Sequence, residues 1–167
     1  MEQAQDNAQA VSLRAAAIPE DEAFLCALYL STRREEMSAW GWNDAQQEMF
    51  ARMQFNARQQ SYAMQYPEAV YKIIIFNGER AGSLIVERRD DEIRLVDIAL
   101  LPEHRNRGIG NSIVRELFTE ADATAKIVRL HVQRENVAAR RLYERLGFSI
   151  TNENDTHLRM ERPPQAI

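Results

Sequence analysis

The sequence predicts an α/β fold, a mixed β-sheet of about six to seven strands flanked by helices. Three observations predict it. Between residues 18 and 65 the pattern is helical, whereas from Val70 the apolar residues gather into short strand-like runs. Those runs are punctuated by Asn77-Gly78 and Asp90-Asp91, which makes a meander of three antiparallel strands. The order then becomes strand, helix, strand, helix, strand, so crossovers mix parallel pairing into the sheet and lay helices against its faces.

The elements follow in order. Val11 to Ala17 reads as a first strand, and Ile18-Pro19-Glu20-Asp21-Glu22 as a helix start, with proline and acids suited to a first turn. That helix is expected to end near Arg34, leaving Glu35 to Trp42 as a connection. Asn43 caps a second helix running through Gln65, with Met49, Met53 and Tyr62 among its apolar positions. Val70 to Phe76 and Ala81 to Glu87 form a hairpin across Asn77-Gly78, and Ile93 to Leu100 adds the third strand. Beyond it come a helix from the Gly108-Ile109-Gly110 turn, a strand through His131-Val132-Gln133, a helix capped by Asn136 and stopped at Gly147, and a last strand from Thr156 to Glu161. Residues 1–167 read as one domain with fraying ends at Met1 to Ala10 and Arg162 to Ile167.

The run from Leu95 to Ser112 carries the most chemistry. An apolar strand feeds a basic turn, Arg105-Asn106-Arg107-Gly108-Ile109-Gly110-Asn111, which opens directly into a helix. Gly108 and Gly110 let a ligand approach the backbone, the first N–H groups of the helix point at it, and the dipole favours an anion. Alone, the same turn would also suit an ordinary charged surface loop. A second segment follows in order, with Asn136, Ala139, Tyr143, Gly147 and Phe148 spread over a strand, a capped helix and a glycine stop.

Together the two segments resemble the GCN5-related N-acetyltransferase (GNAT) family. Arg105, Gly108 and Gly110 match its Arg/Gln-x-x-Gly-x-Gly/Ala motif, and the second segment matches its Asn, Ala, Tyr and Gly-Phe pattern. The resemblance spans roughly residues 69–161 and implies an α/β sandwich that binds acetyl-CoA. It implies that Ile98, Ala99 and Leu100 offer backbone groups to the pantetheine arm. By the same resemblance the pyrophosphate lies on Arg105, Asn106, Arg107, Gly108, Ile109, Gly110 and Asn111, with Asn136, Ala139 and Tyr143 completing the cofactor side. A dinucleotide-binding turn is the competing explanation, but Gly-x-Gly-x-x-Gly is absent and the turn follows a meander.

Tyr143 is the candidate acid that protonates the departing thiolate. By spacing it also belongs to an apolar stripe with Ala139, Leu142 and Leu146, and the family match favours the catalytic role. Asp97 is the candidate base, because a carboxylate in a central strand is costly unless paired or functional. Alternation puts it on the face of Leu95 and Ala99, where an ion pair with Arg94 or another arginine is the alternative. His131 is open to a relay role or to a plain strand hydrogen bond. For the acceptor, the resemblance points to the connection between the first two helices, which carries Glu35, Glu36, Trp40 and Trp42. Carboxylates attract a cationic amine and an indole can cover it; a solvated helix end with packed tryptophans is the other reading.

Composition narrows the partners. A net charge of −4 argues against nucleic acid, whose binders carry a basic excess. No apolar run is long enough to span a bilayer and the polar start lacks a signal-peptide core, so a cytoplasmic location is expected. The single cysteine, Cys26, sits among apolar neighbours as a structural thiol. The three histidines lack metal-site spacing, so no metal is expected. The expected activity is direct acetyl transfer from acetyl-CoA to a primary amine, with a small-molecule acceptor and, by family habit, a homodimer. A non-catalytic acyl-CoA-binding regulator is the alternative.

Overall fold

The computed structural model describes residues 10–166. Seven strands form one sheet in the order β1-β2-β3-β4-β5-β7-β6. They are β1 (Val11–Ala15), β2 (Val70–Phe76), β3 (Glu79–Arg88), β4 (Glu92–Leu100), β5 (Ile127–Gln133), β6 (Ser149–Glu153) and β7 (His157–Arg162). Every neighbouring pair is antiparallel except β4 and β5. The helices are α1 (Glu22–Ala39), α2 (Asp44–Gln65), α3 (Ile109–Thr124) and α4 (Val137–Arg145). The expected mixed sheet flanked by helices is therefore what forms.

Local chemistry explains most boundaries. Asn77 and Gly78 both take positive φ, 50° and 84°, as the turn of a tight right-twisted hairpin requires. Asn43 and Gln46 build a reciprocal cap at the start of α2, and Asn136 Oδ1 accepts the Ala139 N–H at the start of α4. The helix α1 starts later and runs further than its sequence suggests. Asp21 does not cap it, because its buried carboxylate is held by Arg14 at 2.7 and 2.8 Å and by the Ala17 N–H at 2.9 Å. Met37, fully buried, extends the helix's apolar stripe past Arg34.

Two cores lie on opposite faces of the sheet. On one face Ile109, Ile113, Val114, Leu117 and Phe118 of α3 pack against Ile74, Leu84, Leu95 and Leu130. On the other, Leu25, Tyr29 and Met37 of α1 meet Ala51 and Phe55 of α2 over Ile73. The stripe of α2 is Ala51 and Phe55, so Met49 and Met53 turn outward, at 71% and 60% exposure, against expectation. The C-terminal segment also departs from its expected fraying. Arg162 is the buried last residue of β7, paired through both terminal nitrogens with Asp122, which also accepts the Gln165 N–H at 2.8 Å.

Candidate active site

Between β4 and β5 the sheet opens. Their parallel pairing covers only Glu92 to Leu95 against Ile127 to Leu130, whereas β3 stays paired with β4 as far as Leu100. Among the described residues, the edge of 96–100 that faces β5 thus has no strand partner. Backbone N–H and C=O groups demand partners, so this edge suits a ligand that brings its own amides. Ile98, Ala99 and Leu100, to which the family resemblance pointed, form most of it.

A bulge decides what lines the opening. Ile85 pairs with Asp97 and the next residue, Val86, with Leu95, which makes Val96 the extra residue. Ile93 and Leu95 before the bulge and Ile98 and Leu100 after it all join the α3 core. Asp97 therefore turns away from Leu95, towards α1 and α2, correcting the simple alternation read from the sequence. Its Oδ2 is buried and accepts no hydrogen bond, and Arg58 Nη1 stands 3.9 Å away. Burial pushes the Asp97 carboxyl above the usual carboxylate range, and Arg58 only partly opposes it. Arg94 is not its partner, because that guanidinium donates to Glu92 and lies 2.9 Å from His131 Nδ1.

Tyr143 comes from α4 and packs on the α3 side of the sheet. Its ring packs edge-on against Phe148 at 5.6 Å, with Ala139 and Leu146 beside it on the core. Burial, and then the charge of Asp97, push its hydroxyl up to about 12, so it keeps its proton at neutral pH. The apolar stripe thus holds the phenol ring in place. His131 is shifted the other way by burial and then by Arg94, which keeps it uncharged at neutral pH.

At the end of β4 the chain makes a 3-10 turn, Pro102–His104, then the basic turn and α3. Arg105 Nε donates to the Leu100 carbonyl at 3.0 Å and ties this turn to the strand. Asn106 and Gly108 take positive φ, 59° and 78°. The first bond of α3 runs from the Ser112 N–H to the Gly108 carbonyl, leaving the N–H groups of Ile109, Gly110 and Asn111 ahead of it as free helix donors. No side chain caps them and no acid stands in the first turn. A Cβ placed on Gly108 or Gly110 would meet only open space, as a cradle for an external anion requires. The Asn111 side chain is taken by Arg115 at 2.8 Å, so its backbone is what faces outward.

The acceptor candidates are arranged differently from expectation. Glu35 and Glu36 lie in α1, not in a connection, and Arg33 binds Glu36 at 2.8 Å. Trp40 and Trp42 pack edge-on against each other and against Phe50. Cys26 is half-buried on α1 and burial raises its thiol, which leaves it a poor nucleophile. No cluster of metal-ligating side chains occurs among the described residues. The residue that sequence reading passed over is Arg58. It interrupts the inward stripe of α2 between Phe55 and Tyr62, stacked 4.6 Å from the Tyr29 ring and 5.5 Å from that of Tyr62. A lone arginine in an apolar stripe was the available signal.

Residues 20–148 match the model of the Acetyltransferase (GNAT) family. The chain belongs to the GNAT family. Ribosomal protein bS18-alanine N-acetyltransferase of Escherichia coli (strain K12) is 34% identical over 74 residues, which is 44% of this chain and 50% of that enzyme. This GNAT chain thus spans about half the length of the curated relatives it matches. Among solved structures, the PaiA N-acetyltransferase from Thermoplasma acidophilum in complex with coenzyme A shares the fold, with a TM-score of 0.68 at 16% identity, over 92% of this chain and 99% of that one. A GNAT family acetyltransferase from Elizabethkingia anophelis with acetyl-CoA bound gives 0.58 at 14% identity, over 92% and 97%. In GNAT terms, the opened sheet and the turn after β4 are the parts of this fold that merit a functional reading.

Proposed function

We propose that this protein is an acetyl-CoA-dependent N-acetyltransferase that acetylates a primary amine of a small molecule directly, within a ternary complex. One observation carries the reading: the β4 edge left unpaired beyond Leu95 runs on to a turn whose α3 N–H groups are free, and Asp97 on that edge keeps a buried carboxylate oxygen without a hydrogen-bond partner. Acetyl-CoA, when bound, supplies a thioester carbonyl open to attack by an amine. The free N–H groups of Ile109, Gly110 and Asn111, with Arg105, Asn106, Arg107 and Gly108 around them, would hold its pyrophosphate. The edge at Ile98 to Leu100 would take the amide-bearing arm, and Asn136 and Ala139 set the start of the helix that carries Tyr143.

Asp97 then accepts a proton from the acceptor ammonium, freeing the lone pair. An alkylammonium of pKa about 10.4 is almost wholly protonated at neutral pH, so a base with a raised pKa is better matched to this task than an ordinary aspartate. As the new C–N bond forms and the C–S bond breaks, the Tyr143 hydroxyl keeps its proton and donates a hydrogen bond to the leaving sulfur. A phenol near 12 is a weaker acid than a thiol of about 8.5, so its contribution is a positioned hydrogen bond as negative charge develops. The new amide nitrogen gives up its surplus proton, which the thiolate takes as coenzyme A leaves, and Asp97 releases its own proton to solvent.

Free-thiol release from acetyl-CoA with a panel of amines tests the reading. Tyr143→Phe keeps the ring packed on Phe148 and should lower kcat by about 10²–10⁴-fold with CoA affinity unchanged. Equal turnover by the variant would return Tyr143 to a packing role. CoA binding without thiol release for any amine would instead indicate a non-catalytic acyl-CoA sensor.

A further inference from the structure

Beside the opening lies a narrow cleft between α1, α2 and strands β2 to β4. Its walls are mostly apolar, among them Leu25, Tyr29, Phe55, Ile85 and Ala99, and Arg58 lines it as well. Ile85 is the strand neighbour of Asp97, so the cleft and the candidate base are adjacent.

The pair at its inner end is unusual. Arg58 and Asp97 carry opposite charges, yet their 3.9 Å separation is beyond hydrogen-bond reach. Arg58 Nε and Asp97 Oδ2 are both buried and both lack partners. A pair that served the fold would close this gap, because a buried polar group left unmade is costly. Two unsatisfied groups of opposite charge are instead complementary to a ligand that carries both charges itself. Stacking against Tyr29 and Tyr62 holds the guanidinium in place, and a held guanidinium binds a carboxylate through two parallel N–H···O bonds. A simple alkylammonium at Asp97 would leave those donors unused and stand beside a second positive charge.

We propose that the acceptor is an α-amino acid, its carboxylate on Arg58 and its amino group on Asp97. Amino and carboxylate groups carried on one carbon are close enough to engage both residues. The assignment rests on the acetyltransferase reading of the same opening and gives that reaction its acceptor. It also moves acceptor recognition from Glu35, Glu36 and the tryptophans to the face of α2.

The test compares L-leucine with isopentylamine, which lacks the carboxylate, with L-leucinamide, which lacks its charge, and with the tripeptide Leu-Gly-Gly. Binding to the CoA-loaded protein is measured by calorimetry and acetylation by thiol release. Leucine should be favoured over each of the others by at least tenfold in both readouts. Arg58→Gln should bring the ratio of leucine to isopentylamine to near one, and Arg58→Lys should restore part of it, with thermal melts reporting that the variants fold. If Arg58→Gln fails to fold, the ratio in the unaltered protein decides. Preference for isopentylamine, leucinamide or the tripeptide overturns the assignment, as does a ratio that Arg58→Gln leaves intact. Acetylation of isopentylamine without any preference for leucine removes the amino-acid acceptor and leaves the acetyltransferase standing. Preferential leucine binding without acetyl transfer keeps the cleft and removes the transferase.

Discussion

Replacing Gly108 with valine separates the stability of the basic turn from its use. Gly108 has φ 78°, and a Cβ there would meet no protein atom, so the protein-side cost is backbone strain alone. Left-handed backbone costs an L-residue roughly 1–2 kcal/mol. For a chain of this size each kcal/mol moves Tm by about 2–4 °C, so Gly108→Val should melt about 2–8 °C lower. The ligand-side cost is separate, because the new side chain projects into the space where a pyrophosphate would meet the α3 N–H groups. Losing one hydrogen bond to a charged group costs about 1.5–3 kcal/mol. At about 1.4 kcal/mol per tenfold, CoA affinity should drop about 10- to 100-fold. Calorimetric titration with CoA, alongside thermal melts, reads both quantities. Gly108→Asn is the control, since asparagine tolerates left-handed backbone while still adding a Cβ, so its affinity should fall with little change in Tm. A Gly108→Val protein that melts lower as expected yet binds CoA as tightly as before would refute the cradle.

Two further outcomes follow from the titrating groups. Activity should decline as pH falls through the raised pKa of Asp97, and Asp97→Asn should be slow at every pH, losing that limb of the kcat/KM profile. Because a raised carboxyl pKa means the folded state binds the proton more tightly than the unfolded chain, ionised Asp97 opposes folding at neutral pH, and Asp97→Asn should melt no lower than the unaltered protein. Asp21 has the opposite sign: hydrogen bonds from Arg14 and then from the Ala17 N–H hold its carboxyl well below the usual range. Its stabilisation is present above the unfolded value of about 3.9 and is lost as pH falls through the depressed one. Asp21→Asn should therefore cost about 2 kcal/mol at pH 7, a Tm lower by about 4–8 °C, with the gap closing in acid. Urea or thermal melts at pH 7 and below pH 4 check the sign.

Local chemistry was legible in the chain itself. The Asn77-Gly78 turn, the caps at Asn43 and Asn136, the strand runs and the Arg105-x-x-Gly108-x-Gly110 turn into a helix are written in adjacent residues, because backbone geometry and free helix donors depend on near neighbours. The place of Tyr143 on an apolar helical stripe was legible the same way, whereas its proposed catalytic role came from the resemblance to the GNAT family. What the tertiary structure decided is where strand alternation and helix phase place side chains. One extra residue, Val96, reverses the face of Asp97, and a bulge exists only when two strands are paired. The inward face of α2 is fixed by what it packs against, so Met53 could be mistaken for core and Arg58 overlooked until Tyr29 and Asp97 stood beside it. The same holds for Arg162, kept from fraying by Asp122, forty positions earlier in the chain. Contacts between residues far apart in sequence have no local signature, and the candidate base, its arginine and the cleft beside them are built from such contacts.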